Sequence, residues 1–121
     1  FQAPRRGESI VFHVPDSTRR PFIKRLIGLS GDQVEIRDGR VLVNGALITG
    51  APIFATNQYQ NQGMYGGVGQ VIEVPSEELF VLGDNSGSSH DSRFWGFVPR
   101  THLIGRAMVI FWPPQRIRVL R

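Results

Sequence analysis

Asp38-Gly39 stands between two runs of strict two-residue period. Val34 and Ile36 alternate with Glu35 and Arg37 before it, and Val41 and Val43 resume the period after it. Asp and Gly both tolerate the positive φ that a type I′ turn needs, so this pattern is the strongest short-range signal for a β-hairpin. Asn44-Gly45 repeats the signal six residues on and leads into Ala46 to Ile48. Two such turns in a dozen residues commit this part of the chain to an antiparallel meander. Other apolar runs read as strands as well: Ser9 to Val14, Phe22 to Leu29, Val71 to Val74, Leu79 to Leu82 and Ile104 to Phe111. Pro113-Pro114 bars the last of these from running on as a helix, and only Pro75 to Leu79 or Pro99 to Leu103 offers room for a helical turn. Residues 50–69 are rich in Gly, Asn and Gln with weak periodicity, and read as a long, flexible surface excursion. The expectation is one all-β domain over 1–121, with antiparallel sheets forming a partly open barrel.

Composition sets limits on the chemistry. A chain of 121 residues buries roughly two-thirds of its unfolded surface without a staple. It has no cysteine, which excludes disulfides, thiolate zinc sites and a cysteine nucleophile. The longest apolar run, Ala107 to Trp112, is too short to span a bilayer. The net charge of +4 is the excess of 14 basic over 10 acidic residues, and of the basic ones one is a lysine, Lys24, and the other 13 are arginines. These arginines are dispersed among acids, which describes a solvated surface and not a nucleic-acid track.

Two places hold the residues for chemistry. The first is the cluster Gly83-Asp84-Asn85-Ser86-Gly87-Ser88-Ser89-His90-Asp91-Ser92-Arg93, between the apolar run Leu79 to Leu82 and the aromatic Phe94-Trp95-Gly96-Phe97. It reads either as a functional loop delivered by a strand or as a turn-rich connection held by side-chain-to-backbone bonds. Asp84, His90 and Asp91 could ligate a metal, but no matching spacing occurs elsewhere, and no Gly-x-Ser-x-Gly elbow accompanies His90. The second place is Lys24 itself. A period of two puts it on one strand face with Phe22 and Leu26, where desolvation lowers the pKa of an amine and makes it useful as a base; a lysine snorkelling to water from an edge strand is the alternative. Arg25 falls on the other face.

These residues carry a resemblance. Phe22 through Asp32, with Lys24-Arg25, Gly28 and Gly31-Asp32, resembles the lysine motif of the type I signal peptidases, Lys-Arg-x-x-Gly-x-Pro-Gly-Asp. Gly83-Asp84-Asn85, Ser89, Asp91-Ser92-Arg93 and Gly96 resemble the family's Gly-Asp-Asn-x-x-x-Ser-x-Asp-Ser-Arg-x-x-Gly loop. Arg6-Gly7-Glu8 to Phe12 is similar to its Arg-Gly-Asp segment, and Gly105-Arg106-Ala107 to a C-terminal element. Ser30 stands where proline is usual and Glu8 where aspartate is. The order is right and nearly the whole chain is covered.

The resemblance implies a Ser–Lys endopeptidase of the bacterial or organellar branch, removing signal peptides after small residues at Ala-x-Ala sites. Lys24 would be the general base and Ser89 would orient its amine. Asp84, Asp91 and Arg93 would support the loop, and Phe22 and Ile23 would shape shallow apolar pockets. No metal or cofactor is implied. The partners would be signal-peptide-bearing preproteins and a lipid surface, met by a monomer anchored on the outer face of the bacterial cytoplasmic membrane, with no nucleic acid involved. The family's nucleophile lies in a Ser-Met-x-Pro segment before the Arg-Gly-Asp region, and no such segment occurs in these residues. Neither Ser9 nor Ser17 has the motif around it. The serine and the membrane anchor are expected upstream, and the 121 residues alone are expected to be inactive. The competing readings are a serine-less relative that binds signal peptides, a self-cleaving repressor-type Ser–Lys protease, and a basic OB-like nucleic-acid binder.

Overall fold

The computed structural model describes residues 3–13, 21–110 and 116–120, with 108–110 and 116–120 as backbone only. The strands are β1 (Ser9–Phe12), β2 (Phe22–Gly28), β3 (Gln33–Arg37), β4 (Arg40–Val43), β5 (Ala46–Leu47), β6 (Val71–Glu73), β7 (Glu78–Leu82), β8 (Val98–Pro99), β9 (Leu103–Ile110) and β10 (Arg116–Leu120). Two single helical turns join them, α1 (Ile53–Thr56) and α2 (Ser92–Trp95), with a 3-10 turn at Arg100–His102. All pairings are antiparallel. One sheet runs β10-β9-β1-β2-β7-β8 and the other β5-β4-β3-β6. The sheets are open, so the expected all-β, barrel-like fold takes the form of two sheets and not a closed barrel.

The turn chemistry explains the smaller sheet. Asp38 and Gly39 both have positive φ, as do Asn44 and Gly45, and the β3–β4 register sets Val34 opposite Val43 and Ile36 opposite Val41. Those four side chains therefore share one face, and it packs against Ile27, Phe80 and Leu82 of the larger sheet. The other face of the larger sheet carries Ile10, Phe12, Leu26, Leu79, Val81 and Val98. β7 is apolar without interruption from Leu79 to Leu82 because both of its faces are buried.

β2 does two things along its length. Its first half pairs with β1, Ile10 opposite Lys24. Its second half also pairs with β7, starting at Arg25 opposite Leu82. Beyond Leu82 the chain leaves the sheet as the loop 83–91, so Phe22 to Lys24 have no strand on that side among the described residues.

Several details depart from the sequence reading. Helical turns form at Ile53–Thr56 and Ser92–Trp95, where none was expected; the first has no side-chain cap, and the second is capped by Asp91. Strands β8 and β10 were not anticipated. The excursion is bonded to the body at Tyr59, Asn61 and Tyr65. Val14, Ser17, Phe111 and Pro113-Pro114 lie outside the described residues. Among those described, no helix is long and apolar enough to cross a membrane.

Candidate active site

Lys24 lies where β2 loses its partner strand. Its Nζ donates to Ser89 Oγ at 2.9 Å and sits 5.7 Å from the centre of the Phe22 ring. Burial holds the amine below its ordinary pKa of 10.5. Asp91 and Asp84 pull it back up, and the Arg93 charge adds to the lowering. A half-buried amine with a hydroxyl partner is the arrangement a neutral lysine needs to accept a proton near physiological pH.

Ser89 can reach Lys24 because Gly83 has no side chain. A Cβ at Gly83 would overlap Ser89 Oγ and stand 3.3 Å from Lys24 Nζ. The Gly83 N–H donates to Asp91 Oδ2 at 2.9 Å. Asp91 also caps α2, accepting from the Arg93 N–H at 3.1 Å. Arg93 closes a fork on Asp91, Nε to Oδ1 at 2.9 Å and Nη2 to Oδ2 at 3.0 Å, with both side chains fully buried. The remaining Arg93 donors reach Ser86 O, Ser89 O and Ser86 Oγ within the loop, and Gln60 O and Gln62 Oε1 in the excursion. Ser92 Oγ accepts from the Val81 N–H, which pins α2 to β7. Side-chain-to-backbone bonds hold the loop, as a turn-rich connection would have it, and the same bonds place Ser89 against Lys24.

Asp84 is placed differently from the other acids of the loop. It forms an outer fork with Arg25, two contacts of 2.8 Å each, and this bond raises the Arg25 pKa. Arg25 also donates to Gly7 O at 2.7 Å, and Asn57 of the excursion donates to Asp84 O at 2.7 Å. The sequence reading set Arg25 aside because it points away from Lys24. Its position directly after the lysine was the available signal.

A cavity of about 310 Å³ opens between Ser9, Ile23 and Lys24 on one side and Asp84, Asn85 and Ser88 on the other. Ile23 is exposed on its rim. Phe22 is not among the lining residues; it lies against Phe12, ring centres 6.4 Å apart, under the lysine side chain. His90 is exposed and stacks on Phe94 at 5.4 Å. Among the described residues no three His, Cys, Asp or Glu side chains gather as a metal site would require.

The family described as signal peptidase, peptidase S26, matches residues 1–112. The chain is similar to a probable signal peptidase I-2 of Synechocystis sp., 44% identical over 97% of this chain and 52% of the relative. It is similar to a signal peptidase I of Leptolyngbya laminosa, 43% identical over 97% of this chain and 57% of the relative. It is also similar to a chloroplastic thylakoidal processing peptidase 1 of Arabidopsis thaliana, 31% identical over 97% and 35%. The chain thus spans about half the length, or less, of these curated relatives. The crystal structure of a signal peptidase I from Enterococcus faecalis superposes with a TM-score of 0.72 at 30% identity, over 88% of this chain and 98% of that one.

Proposed function

Because the chain belongs to the signal peptidase, peptidase S26, family, we propose that it forms the catalytic body of an endopeptidase that removes signal peptides from exported preproteins, with Lys24 as general base. The observation that carries this reading is the 2.9 Å contact between Ser89 Oγ and a desolvated Lys24 amine. In its neutral form the amine offers an N–H to Ser89 and keeps its lone pair for a serine hydroxyl. The serine oxygen, deprotonated by Lys24, attacks the scissile carbonyl. The lysine ammonium then gives that proton to the departing amine, and an acyl-enzyme remains. Water, deprotonated by the same lysine, releases the signal peptide as a carboxylate.

The supporting parts follow the geometry. Asp91 and Arg93 hold the loop that presents Ser89, Asp84 ties its outer end to β2, and Ile23 gives the cavity rim an apolar contact suited to small side chains, while Phe22 supports the lysine from beneath. The edge of β2 at Phe22 to Lys24 away from β1, which meets no strand among the described residues, offers a place for an extended substrate to add as a strand. The nucleophile is assigned to a Ser-Met-x-Pro segment of the family kind, working on the outer face of a membrane.

The test joins a Ser-Met-x-Pro segment from a signal peptidase I relative ahead of Phe1 and follows cleavage of a preprotein with an Ala-x-Ala site. Cleavage is expected in the fusion and absent in the 121 residues alone. Lys24→Arg, which keeps the charge but cannot be deprotonated, should lower the rate by about 100- to 10,000-fold. Retained activity in Lys24→Arg would sink the mechanism.

A further inference from the structure

Residues 60–66, Gln-Asn-Gln-Gly-Met-Tyr-Gly, have no periodicity, yet the chain is folded closely over one side chain. Gln60 N–H donates to Ser86 Oγ at 2.8 Å, and Tyr65 N–H donates to Arg93 O at 2.8 Å. Asn61 Nδ2 bonds Ile36 O at 2.8 Å and Gly66 O at 3.0 Å, which fastens the segment to β3 and to itself. Gln62 Nε2 bonds Gln60 Oε1 at 2.9 Å, and its Oε1 faces Arg93 Nη1 at 3.3 Å. Gly66 lies directly over the arginine stem: a Cβ there would sit 2.7 Å from Arg93 Cγ and 2.5 Å from Gln62 O.

The bonds continue from this strap to the lysine. Arg93 takes its outer acceptors from the strap and its inner ones from Ser89 O and Asp91. Asp91 holds the Gly83 N–H, and Gly83 leaves the space through which Ser89 meets Lys24. A guanidinium removed from water must have its donors satisfied, so its position depends on every acceptor around it. Two of those acceptors belong to the strap.

We propose that the segment 60–66 is a positioning element for the Lys24 base, acting through Arg93, with Gln62 and Gly66 as its positioning residues. The proposal rests on Lys24 being the base and extends the site to a part of the chain that follows Lys24 by 36 to 42 residues and precedes Arg93 by 27 to 33. Loosening the strap lets Arg93 withdraw and water reach the amine. Burial then lowers the amine's pKa less, the like charge of Arg93 recedes, and Asp91 loses its neutralising partner. All three effects raise the lysine pKa toward 10.5. Asp84, the other charge acting on Lys24, is tied to Arg25 outside the strap.

Lys24 is the one lysine of the 121 residues, so isotope labelling at lysine gives a single side-chain signal whose titration is read directly by NMR. Gln62→Met keeps the length and deletes both polar atoms; Gly66→Ala adds a methyl against the arginine stem. Each is expected to move the Lys24 midpoint upward by about half a pH unit. In the serine-bearing fusion each should lower kcat near neutral pH about threefold, the matching loss of neutral amine, with KM unchanged. Val68→Ser, on an exposed residue without a bond to Arg93, should change none of these. A lower melting temperature with an unmoved Lys24 midpoint in the strap variants would overturn the proposal. If Gly66→Ala does not fold, Gln62→Met decides the matter. A fusion still active as Lys24→Arg would refute the base instead, and the titration would still report whether the strap positions the amine.

Discussion

Two carboxylate–guanidinium forks flank Lys24, alike in bond geometry and unlike in exposure to solvent. Asp91–Arg93 is fully buried, whereas Asp84 in the Asp84–Arg25 pair is nearly half exposed. The geometries are alike, with contacts of 2.8 Å in the outer fork and of 2.9 and 3.0 Å in the inner one. Removing one partner of a buried pair strands a charge in low dielectric; removing one partner of an exposed pair hands the other to water. The inner fork therefore holds backbone in place, and the outer fork mainly sets the local field at the lip of the cavity. The same two residue types serve as scaffold on one side of the lysine and as electrostatic trim on the other.

The contrast breaks most readily at the inner fork. Arg93→Met leaves Asp91 buried without its partner and should cost about 3–5 kcal/mol in unfolding free energy by urea titration. A loss below about 1 kcal/mol would put the two forks in one class. Asp84→Asn should cost on the order of 1 kcal/mol or less. It removes a carboxylate that favours the charged amine and leaves Arg25 unpaired, so the Lys24 midpoint should fall and the rising limb of the cleavage rate should move to lower pH. Strap variants and outer-fork variants thus displace the same signal in opposite directions.

Lys24→Met probes the amine between the forks. The folded pKa of Lys24 is lowered, so the unfolded chain binds more protons in the window between that pKa and 10.5, and the parent gains stability as pH rises through it. The stability of Lys24→Met relative to the parent should be highest below the window and decline across it; a flat difference would mean the amine is not desolvated. The smallest effect belongs to Arg37→Gln, at a pair on the exposed surface of β3: no measurable change in melting temperature is expected.

The parts legible in the sequence share one property, that a local residue pattern dictates local backbone. Asp38-Gly39 and Asn44-Gly45 require positive φ and so announced their hairpins with the correct register. Lys24 and Ser89, 65 residues apart, were joined only through the resemblance of their motifs, and the structure brings them together. The strap was illegible for a physical reason. Arg93 bonds the Gln60 carbonyl, which every residue type carries, and the Gln62 amide resembles any surface glutamine until an arginine is found beneath it. The turn at Ser92–Trp95 had a readable N-cap in Asp91, whereas the one at Ile53–Thr56 has no side-chain cap at all.

The crowding of acceptors around Arg93 also has a consequence in time. Its partners lie 2, 4, 7, 31 and 33 residues away. The near ones can assemble as soon as β7 and α2 meet, but the guanidinium stays hydrated on one side until the distant strap docks. Shedding that water is favourable only once Gln60 and Gln62 replace it, so the docking of residues 60–66 is a late step on the way to the native state and an early one on the way out. The amide hydrogens of Tyr65 and Gly83 should accordingly exchange with solvent together, and faster than those of Val81 in the sheet behind them. On this order the sheets assemble first and the surroundings of Lys24 last, and simultaneous protection of Tyr65, Gly83 and Val81 in a refolding exchange experiment would refute it.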